Sequence, residues 1–438
     1  MVNNPPPVAS AAPVRQYGRP QRAHHAEERT RVRRTSKAFC LTCATGRATF
    51  RRWSIQSKNC YGEINSTGIW FLVGLIIRQK EPSNLETPFH QLDSFLTPTE
   101  LFYIRSHFPA PKLDLASYQL RIDGAVRNPF SLSYKELRDL PSERRVATLE
   151  CAGNGRAFLV PQLKGAQWDL GAVGNAEWTG VPLGVLLERA GLEEDACEIV
   201  LAGADQGTPD VEPKPPGPIS YARSLPRDKA LQREALIAFQ MNGRELPQDH
   251  GYPVRAIVPG HYGMASVKWL TGIHAVREPF PGYWQTTDYA YWDYVNGRPV
   301  RRGLGEMKLK SQIARPTVYE TLKPNQVYTV CGAAWAGEAE IAEIAVSTDG
   351  GQTWAEAEFL DPVQRYTWRR WKFAWLTPKQ PGKYTLLASA KDDKGDAQPD
   401  KHDKNYDPYV INYPLPIDVF VGDPYEAGVG DVAAQTGC

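Results

Sequence analysis

No apolar run in this chain is long enough to cross a bilayer as a helix. The strongest, Gly68–Ile77 (GIWFLVGLII), has ten residues, where a span needs about 20. An excess of one charge is also lacking. Lys plus Arg total 51 against 49 Asp plus Glu, a formal +2, so net charge gives no case for a nucleic-acid partner. Cysteines are few, scattered and odd in number, seven in 438 residues, which argues against a disulfide framework. Cys40 and Cys43 have the two-residue gap of a zinc or redox motif, with His24 and His25 upstream, but no second pair follows. Ala44 stands where a c-type haem attachment needs histidine.

Proline and tryptophan are plentiful instead, 36 and 12 residues, which favours extended segments and turns over a helical bundle. Residues 1–75 read as a disordered extension: MVNNPPPVASAAPV is rich in Pro and Ala, and QRAHHAEERTRVRRTSK leans basic. Arg51 and Arg52 precede the apolar run, as in an export signal, but a long polar stretch intervenes. The run itself is expected to be a buried strand.

Residues 76–306 carry the signature of a mixed α/β domain. SYQLRIDGAV reads as a strand and turn, and FSLSYKEL as a strand entering a helix. VPLGVLLERAGL puts Leu183, Leu186, Leu187 and Ala190 at helical spacing before a glycine stop. ALIAFQMNGREL reads as a strand ending in an Asn-Gly turn, and PVRAIVPG as another buried strand. Residues 307–425 change texture: QVYTVCGAAW, EIAEIAVSTDGGQTW, YTWRRWKFAWL and GKYTLLASAKDD alternate like strands, with a hairpin turn at Asp349-Gly350-Gly351. Short strands without intervening helices indicate an immunoglobulin-like β-sandwich, with a tail at 426–438. Tyr366, Trp368, Trp371 and Trp375 are assigned to its core rather than to an interface.

TLECAGNGR, Thr148 to Arg156, raises the chemical question. VATLE ahead of Cys151 reads as a strand end, and AGNGR behind it is too small and flexible to be core. That setting favours an exposed or ligand-bound sulfur over packing. A nucleophilic thiol would want a histidine, with His107 and His250 as candidates; a soft thiolate can instead ligate a soft or high-valent metal.

TLECAGNGR, GAQWDLGAVGNAEWTGVPL, MNGRELPQDHGYPVRAIVPG and GMASVKWL, in that order, resemble the sulfite oxidase family of molybdenum enzymes. The likeness runs from near Leu75 through FYIRSHFPAP to about Gly422. It implies one molybdenum–molybdopterin per chain, with the metal bound by the pterin dithiolene and by Cys151. Cofactor contacts carry over to Tyr103, Ile104, Arg105, Ser106 and His107, to Asp205, His250 and Arg255, and to Ser266, Val267 and Lys268. Cations and backbone N–H groups in these segments suit a pterin phosphate. Taken singly, His250 could cap a turn and Lys268 could be a solvated strand end.

On the substrate side the resemblance implies Arg105, Arg156, Lys164, Trp168 and Tyr289. Sulfite is small and strongly hydrated, so a site that strips its water must return charge-assisted hydrogen bonds. The ordinary alternatives are surface ion pairs and aromatic packing. One departure stands out: vertebrate and plant members carry an arginine in a C-terminal Asn-Leu-Arg-Gly stretch, whereas this tail reads YDPYVINYPLPIDVFV. Lys404 or His402 is a candidate replacement.

The family chemistry is oxygen-atom transfer, sulfite to sulfate. Other readings on the same fold are a sulfane-sulfur dehydrogenase and a sulfoxide or nitrate reductase; from another class, an inactive interaction protein. No cytochrome b5-like His-Pro-Gly-Gly segment and no CxxCH occur, so a haem-free chain is expected, with an external cytochrome or dioxygen as acceptor. The resemblance also implies a homodimer through the sandwich. Compartment stays open between cytoplasm, which suits free thiols, and periplasm.

Overall fold

The computed structural model describes residues 61–64, 70–209 and 212–423, with burial from residue 74 onward. The Cys40/Cys43 pair, the extension and export-signal readings, and the tail from 426 lie outside those residues.

Two sheets build the first part of the molecule. One has five strands. β1 (Gln119–Gly124) alternates exposed and buried side chains, with Leu120 and Ile122 fully inside. It pairs with β2 (Phe130–Ser133), whose last residue caps α1 (Tyr134–Asp139). There the Ser133 side chain accepts from the Glu136 backbone N–H, and the Glu136 carboxylate accepts in return from Ser133 N. The second sheet is built on β3 (Glu143–Glu150) and β4 (Val173–Pro182), antiparallel from Glu143 opposite Gly180 to Glu150 opposite Val173. α2 (Leu183–Ala190) follows β4, buries Leu183, Leu186, Leu187 and Ala190, and stops at Gly191 with φ 68°.

β5 (Glu198–Gly207) and β6 (Ile219–Pro226) complete the first sheet together with β9 (Leu270–Val276); its order is β6-β5-β9-β1-β2. β7 (Leu236–Met241) pairs with β4 and, on its other side, with β8 (Arg255–Ile257) and the short strand Arg244–Glu245. The Asn-Gly turn falls as expected, with Asn242 and Gly243 at φ 49° and 74°.

The remaining strands form a two-sheet sandwich. β10 (Lys310–Arg315), β11 (Val327–Trp335) and β13 (Arg369–Leu376) make one sheet with Glu358–Phe359. β12 (Ile341–Ser347), β14 (Gly382–Asp392) and β15 (Ile417–Val421) make the other with Thr321–Leu322 and Ala355–Glu356. All four aromatics assigned to core are buried. Trp371 and Trp375 fill the space between the two sheets, while Trp368 packs into the core of the first part. Trp368 N donates to Thr148 Oγ1 at 2.8 Å, and Thr148 N donates to the Tyr366 carbonyl at 2.9 Å. The sandwich therefore grips β3 directly, two to three residues before Cys151.

The apolar run at 68–77 is not one buried strand. It breaks at Gly74 into Trp70–Val73 and Ile76–Gln79, and Ile76 and Ile77 are 38% and 59% exposed. The second piece is an edge strand of a small three-stranded sheet with Asn84–Glu86 and Ile104–Arg105, with no further strand paired to it among the described residues.

Candidate active site

β3 ends at Glu150 and the chain turns tightly through Cys151-Ala152-Gly153-Asn154. Cys151 N donates to the Ala172 carbonyl at 2.8 Å, and Asn154 N closes the turn on the Cys151 carbonyl at 2.8 Å. The glycines have separate reasons. Gly155 sits at φ 92°, in the left-handed region that favours glycine. A Cβ on Gly153 would lie 2.2 Å from Nη2 of Arg156, so a side chain there would push the guanidinium away.

The Cys151 thiol, 6% exposed, lines an open cleft of about 640 Å³. Tyr103, Ile104, Arg105, Ser106 and His107 form one wall of it. Asp205 near the end of β5, His250, Arg255, Ser266, Lys268 and Tyr289 line it as well. Twelve of the sixteen residues carried over, Cys151 and Tyr289 among them, line this cleft; Arg156, Lys164, Trp168 and Val267 do not.

Each of these four has a physical reason. Lys164 is exposed to solvent. Trp168 is fully buried in the apolar cluster behind Cys151, with its Nε1 unpartnered. Val267 turns its side chain into the core, 1% exposed, and only its backbone is spent on the β8 loop, accepting from Ala256 N at 2.8 Å. Arg156 is buried behind the turn: Nε donates to the Pro408 carbonyl at 3.1 Å, and Nη1 to the Ala166 carbonyl at 2.9 Å. The Lys-Gly-x-x-Trp stretch thus serves Arg156 with a carbonyl and with Gly165, at φ 113°, where a Cβ would lie 2.5 Å from Nη1.

Electrostatics inside the cleft are lopsided. Lys268 donates to Ser106 Oγ at 2.8 Å and to the Asp249 carbonyl at 2.9 Å, and lies 4.2 Å from the Trp269 ring centre. Burial, then Arg255, lowers its pKa to about 7. Asp205 is pushed up to about 6 by burial, with Lys268 pulling the other way. Arg255 is held by the His250 and Ser266 carbonyls, both at 3.0 Å, over the Trp178 ring; burial lowers it to about 10. His250, against the Thr99 carbonyl at 3.3 Å, is lowered to about 3 by burial and by the two cations. With Arg105 the cleft lining carries three cationic side chains against the carboxylates of Asp205 and Asp249, an excess that suits an anionic guest.

Aromatic rings gather around His107. His107 Nε2 is 2.7 Å from the Tyr289 hydroxyl, and its ring stacks on Tyr221 with centres 4.6 Å apart. Burial, then Arg105, keeps His107 well below its usual pKa, so the imidazole is neutral. Arg105 is charged: burial opposes it, but Tyr289 and Cys151 beside it outweigh that and raise its pKa. Tyr289 itself adopts φ 46°, a left-handed backbone uncommon for an aromatic residue.

Sequence reasoning did not pick out Tyr221, Asp249, Gly263, Met264 or Trp269, all of which line the cleft. Asp249 and Trp269 adjoin His250 and Lys268 and were within reach of the motifs; Tyr221 and Met264 carry no local signal. Nor did it pick out what the C-terminal tail supplies. Lys404 is exposed and neither it nor His402 lines the cleft. The tail delivers Tyr409 instead, buried against Arg156 and Tyr289 with ring distances of 5.3 and 4.9 Å.

The donor set fits a molybdopterin. Among the described residues no group of three or more His, Cys, Asp and Glu could hold a metal alone. Cys151 is the sole thiol on the cleft wall, so a metal here would need further ligands from its cofactor, and Arg105, Arg255 and Lys268 in the same lining suit a cofactor that carries an anionic group.

Comparison with known proteins agrees. Residues 107–284 match the model of the oxidoreductase molybdopterin binding domain, and residues 301–413 that of the Mo-co oxidoreductase dimerisation domain. The chain is 36% identical over 345 residues to sulfite oxidase of Gallus gallus, covering 75% of this chain and 73% of that one. It is 34% identical to the mitochondrial sulfite oxidase of Rattus norvegicus, of whose length it spans 61%. Among solved structures it is similar to the sulfane dehydrogenase SoxCD of Paracoccus pantotrophus, with TM-score 0.66, 28% identity, and 76% and 83% of the two chains covered. With cysteine, cleft and sandwich arranged in this way, the chain belongs to the sulfite oxidase family of molybdopterin-dependent oxidoreductases.

Proposed function

We propose that this chain oxidises sulfite to sulfate by oxygen-atom transfer. Residues 76–306 form the catalytic domain and residues 307–425 the sandwich through which two copies pair. The observation that carries the reading is the meeting of Cys151, Arg105 and Tyr289 in one cleft that Lys268 and Arg255 also line. Molybdenum–molybdopterin, one per chain and without haem, supplies the redox chemistry when bound.

The chain's own residues divide the work. Cys151 offers a thiolate from a rigid turn. Lys268, Arg255 and His250 hold the pterin and its phosphate, with Tyr103, Ile104, Ser106, Asp205, Ser266 and the Val267 backbone shaping the seat. Arg105 binds the substrate anion in a poorly solvated place, where charge-assisted hydrogen bonds are strong. Arg156 stands behind it as a second cation. Tyr289, hydrogen-bonded to neutral His107, presents a hydroxyl that orients an oxyanion without adding charge. Lys164, exposed to solvent, and Trp168, in the apolar cluster that includes Cys151, lie outside the cleft lining. Electrons leave to an external cytochrome or to dioxygen.

A second reading is oxidation of sulfane sulfur. It is favoured by the absence of a tail-supplied cation and by the structural likeness to a sulfane dehydrogenase. Steady-state turnover of sulfite against thiosulfate, with ferricyanide, cytochrome c and dioxygen as acceptors, separates the two. Metal analysis accompanies it: about one molybdenum per chain is expected. Purified chain loaded with molybdenum that turns over neither compound sinks both readings, and chain that never takes up molybdenum points to the inactive interaction protein.

A further inference from the structure

Tyr409 is packed into the core of the first part of the molecule. It belongs to the loop between β14 and β15 of the sandwich, yet that loop is tied to the metal-ligand turn. Val410 N donates to the Ala152 carbonyl at 2.8 Å, and the Pro408 carbonyl accepts from Arg156 Nε at 3.1 Å. Between these two ties the Tyr409 ring faces the Arg156 guanidinium at 5.3 Å and leans on Tyr289 at 4.9 Å. Its hydroxyl donates to Oδ1 of Asp288, an oxygen that also accepts from Tyr289 N at 2.9 Å. Asp288 therefore anchors both tyrosines, and its carboxylate is felt by Arg105 as well.

Arg105, Arg156 and the fully buried Arg223 supply the positive charges around the two tyrosines, Asp288 is the carboxylate set against them, and the phenols add no charge. A fixed carboxylate beside an anion site costs a doubly charged guest about twice what it costs a singly charged one.

We propose that Asp288 and Tyr409 act as one specificity-determining unit: Tyr409 fixes Arg156 beside the Cys151 turn, and Asp288 tunes the pocket to a sulfur oxyanion carrying one negative charge over one carrying two. This deepens the oxyanion-oxidase reading and rests on it.

The test uses the molybdenum-loaded protein and two probe anions, sulfate with two charges and nitrate with one, titrated calorimetrically and as inhibitors of sulfite turnover. Asp288→Asn keeps the acceptor oxygen for Tyr409 and Tyr289 and deletes only the charge. Sulfate binding is expected to tighten about tenfold relative to nitrate, the scale of one unit charge about 10 Å from a bound anion at an effective dielectric of roughly 20. Tyr409→Leu should raise KM for sulfite at least fivefold with a smaller change in kcat, and Tyr409→Phe, which keeps the ring against Arg156, should restore most of that loss. A sulfate-to-nitrate ratio that moves less than twofold in Asp288→Asn overturns the charge assignment. A Tyr409→Phe protein as impaired as Tyr409→Leu overturns the positioning role. Failure of the oxidase reading itself would look different: wild-type chain without molybdenum or without turnover.

Discussion

Lys310 Nζ, on the first strand of the sandwich, donates to Glu150 Oε1 at 2.9 Å, one residue before Cys151. Both side chains are 2% exposed. The remaining capacity of the pair is filled. Glu150 Oε1 also accepts from Asn154 Nδ2 at 3.1 Å, Oε2 accepts from Trp335 Nε1 at 2.9 Å, and Lys310 reaches the Asn154 carbonyl at 2.9 Å. A buried pair so fully bonded need not add net stability, but losing one partner leaves a naked charge. Lys310→Met is therefore expected to destabilise the protein by about 3–5 kcal/mol, read from urea unfolding. Lys310→Met combined with Glu150→Gln should recover at least a third of that. A single substitution costing no more than an average surface change would show that the pair does not lock the two parts together.

Cys151→Ser removes the thiol proposed as the metal ligand while leaving the turn, because the turn is closed by backbone groups: Cys151 N to Ala172 and Asn154 N to the Cys151 carbonyl. Turnover of sulfite should fall at least a thousandfold, with the thermal midpoint of the cofactor-free protein within a few degrees of wild type. A serine variant with near-normal turnover would remove Cys151 from the metal.

Acid should weaken the fold through its buried neutral histidines. His250, 4% exposed, has its folded pKa lowered to about 3 from an ordinary 6.5. Between those values the unfolded chain binds a proton that the folded chain refuses, so stability is complete above about 6.5 and declines as pH falls toward 3. Its share is about 1.4 kcal/mol per pH unit. Denaturant unfolding of the cofactor-free protein at several pH values between 6.5 and 4.5 should show a slope shallower by one proton in His250→Gln. Parallel slopes for variant and wild type would mean that His250 titrates normally in the folded protein.

What the sequence made legible follows from the range of each signal. α2, the Asn242-Gly243 turn and the sandwich strands depend on local periodicity and turn chemistry, and all three formed as read. That residues 103–107, 250, 255, 266 and 268 line one cleft was legible because they sit in short motifs of the sequence. The sequence did not reveal that Lys164 would be exposed and Trp168 buried: their stretch is shaped by Arg156, whose partners at 166 and 408 are far apart in the chain. Tyr409 was invisible for the same reason. Its partner Asp288 lies on another element, and nothing in YDPYVINY marks one tyrosine over its neighbours. The exposed Ile76 and Ile77 misled because hydropathy records composition, not whether a neighbouring sheet is there to cover it.

Cofactor removal should expose a trade-off centred on Lys268. Its ammonium is desolvated next to Arg255, which is why its pKa falls to about 7, and its two hydrogen bonds go to the neutral acceptors Ser106 Oγ and the Asp249 carbonyl. Without an anionic guest the charge is a burden on the fold; with one it is a binding contact. Loading the site at a hundredfold excess over Kd adds about 2.7 kcal/mol to stability, so the loaded protein should melt measurably higher than the stripped one. Lys268→Met should reverse the order of cost. The stripped variant is expected to melt no lower than stripped wild type, because the lost hydrogen bonds are offset by the removed charge, while its retained molybdenum and pterin through gel filtration fall at least tenfold. A variant that keeps its cofactor but melts lower when stripped would make Lys268 a structural cation of the fold, not a contact for the guest.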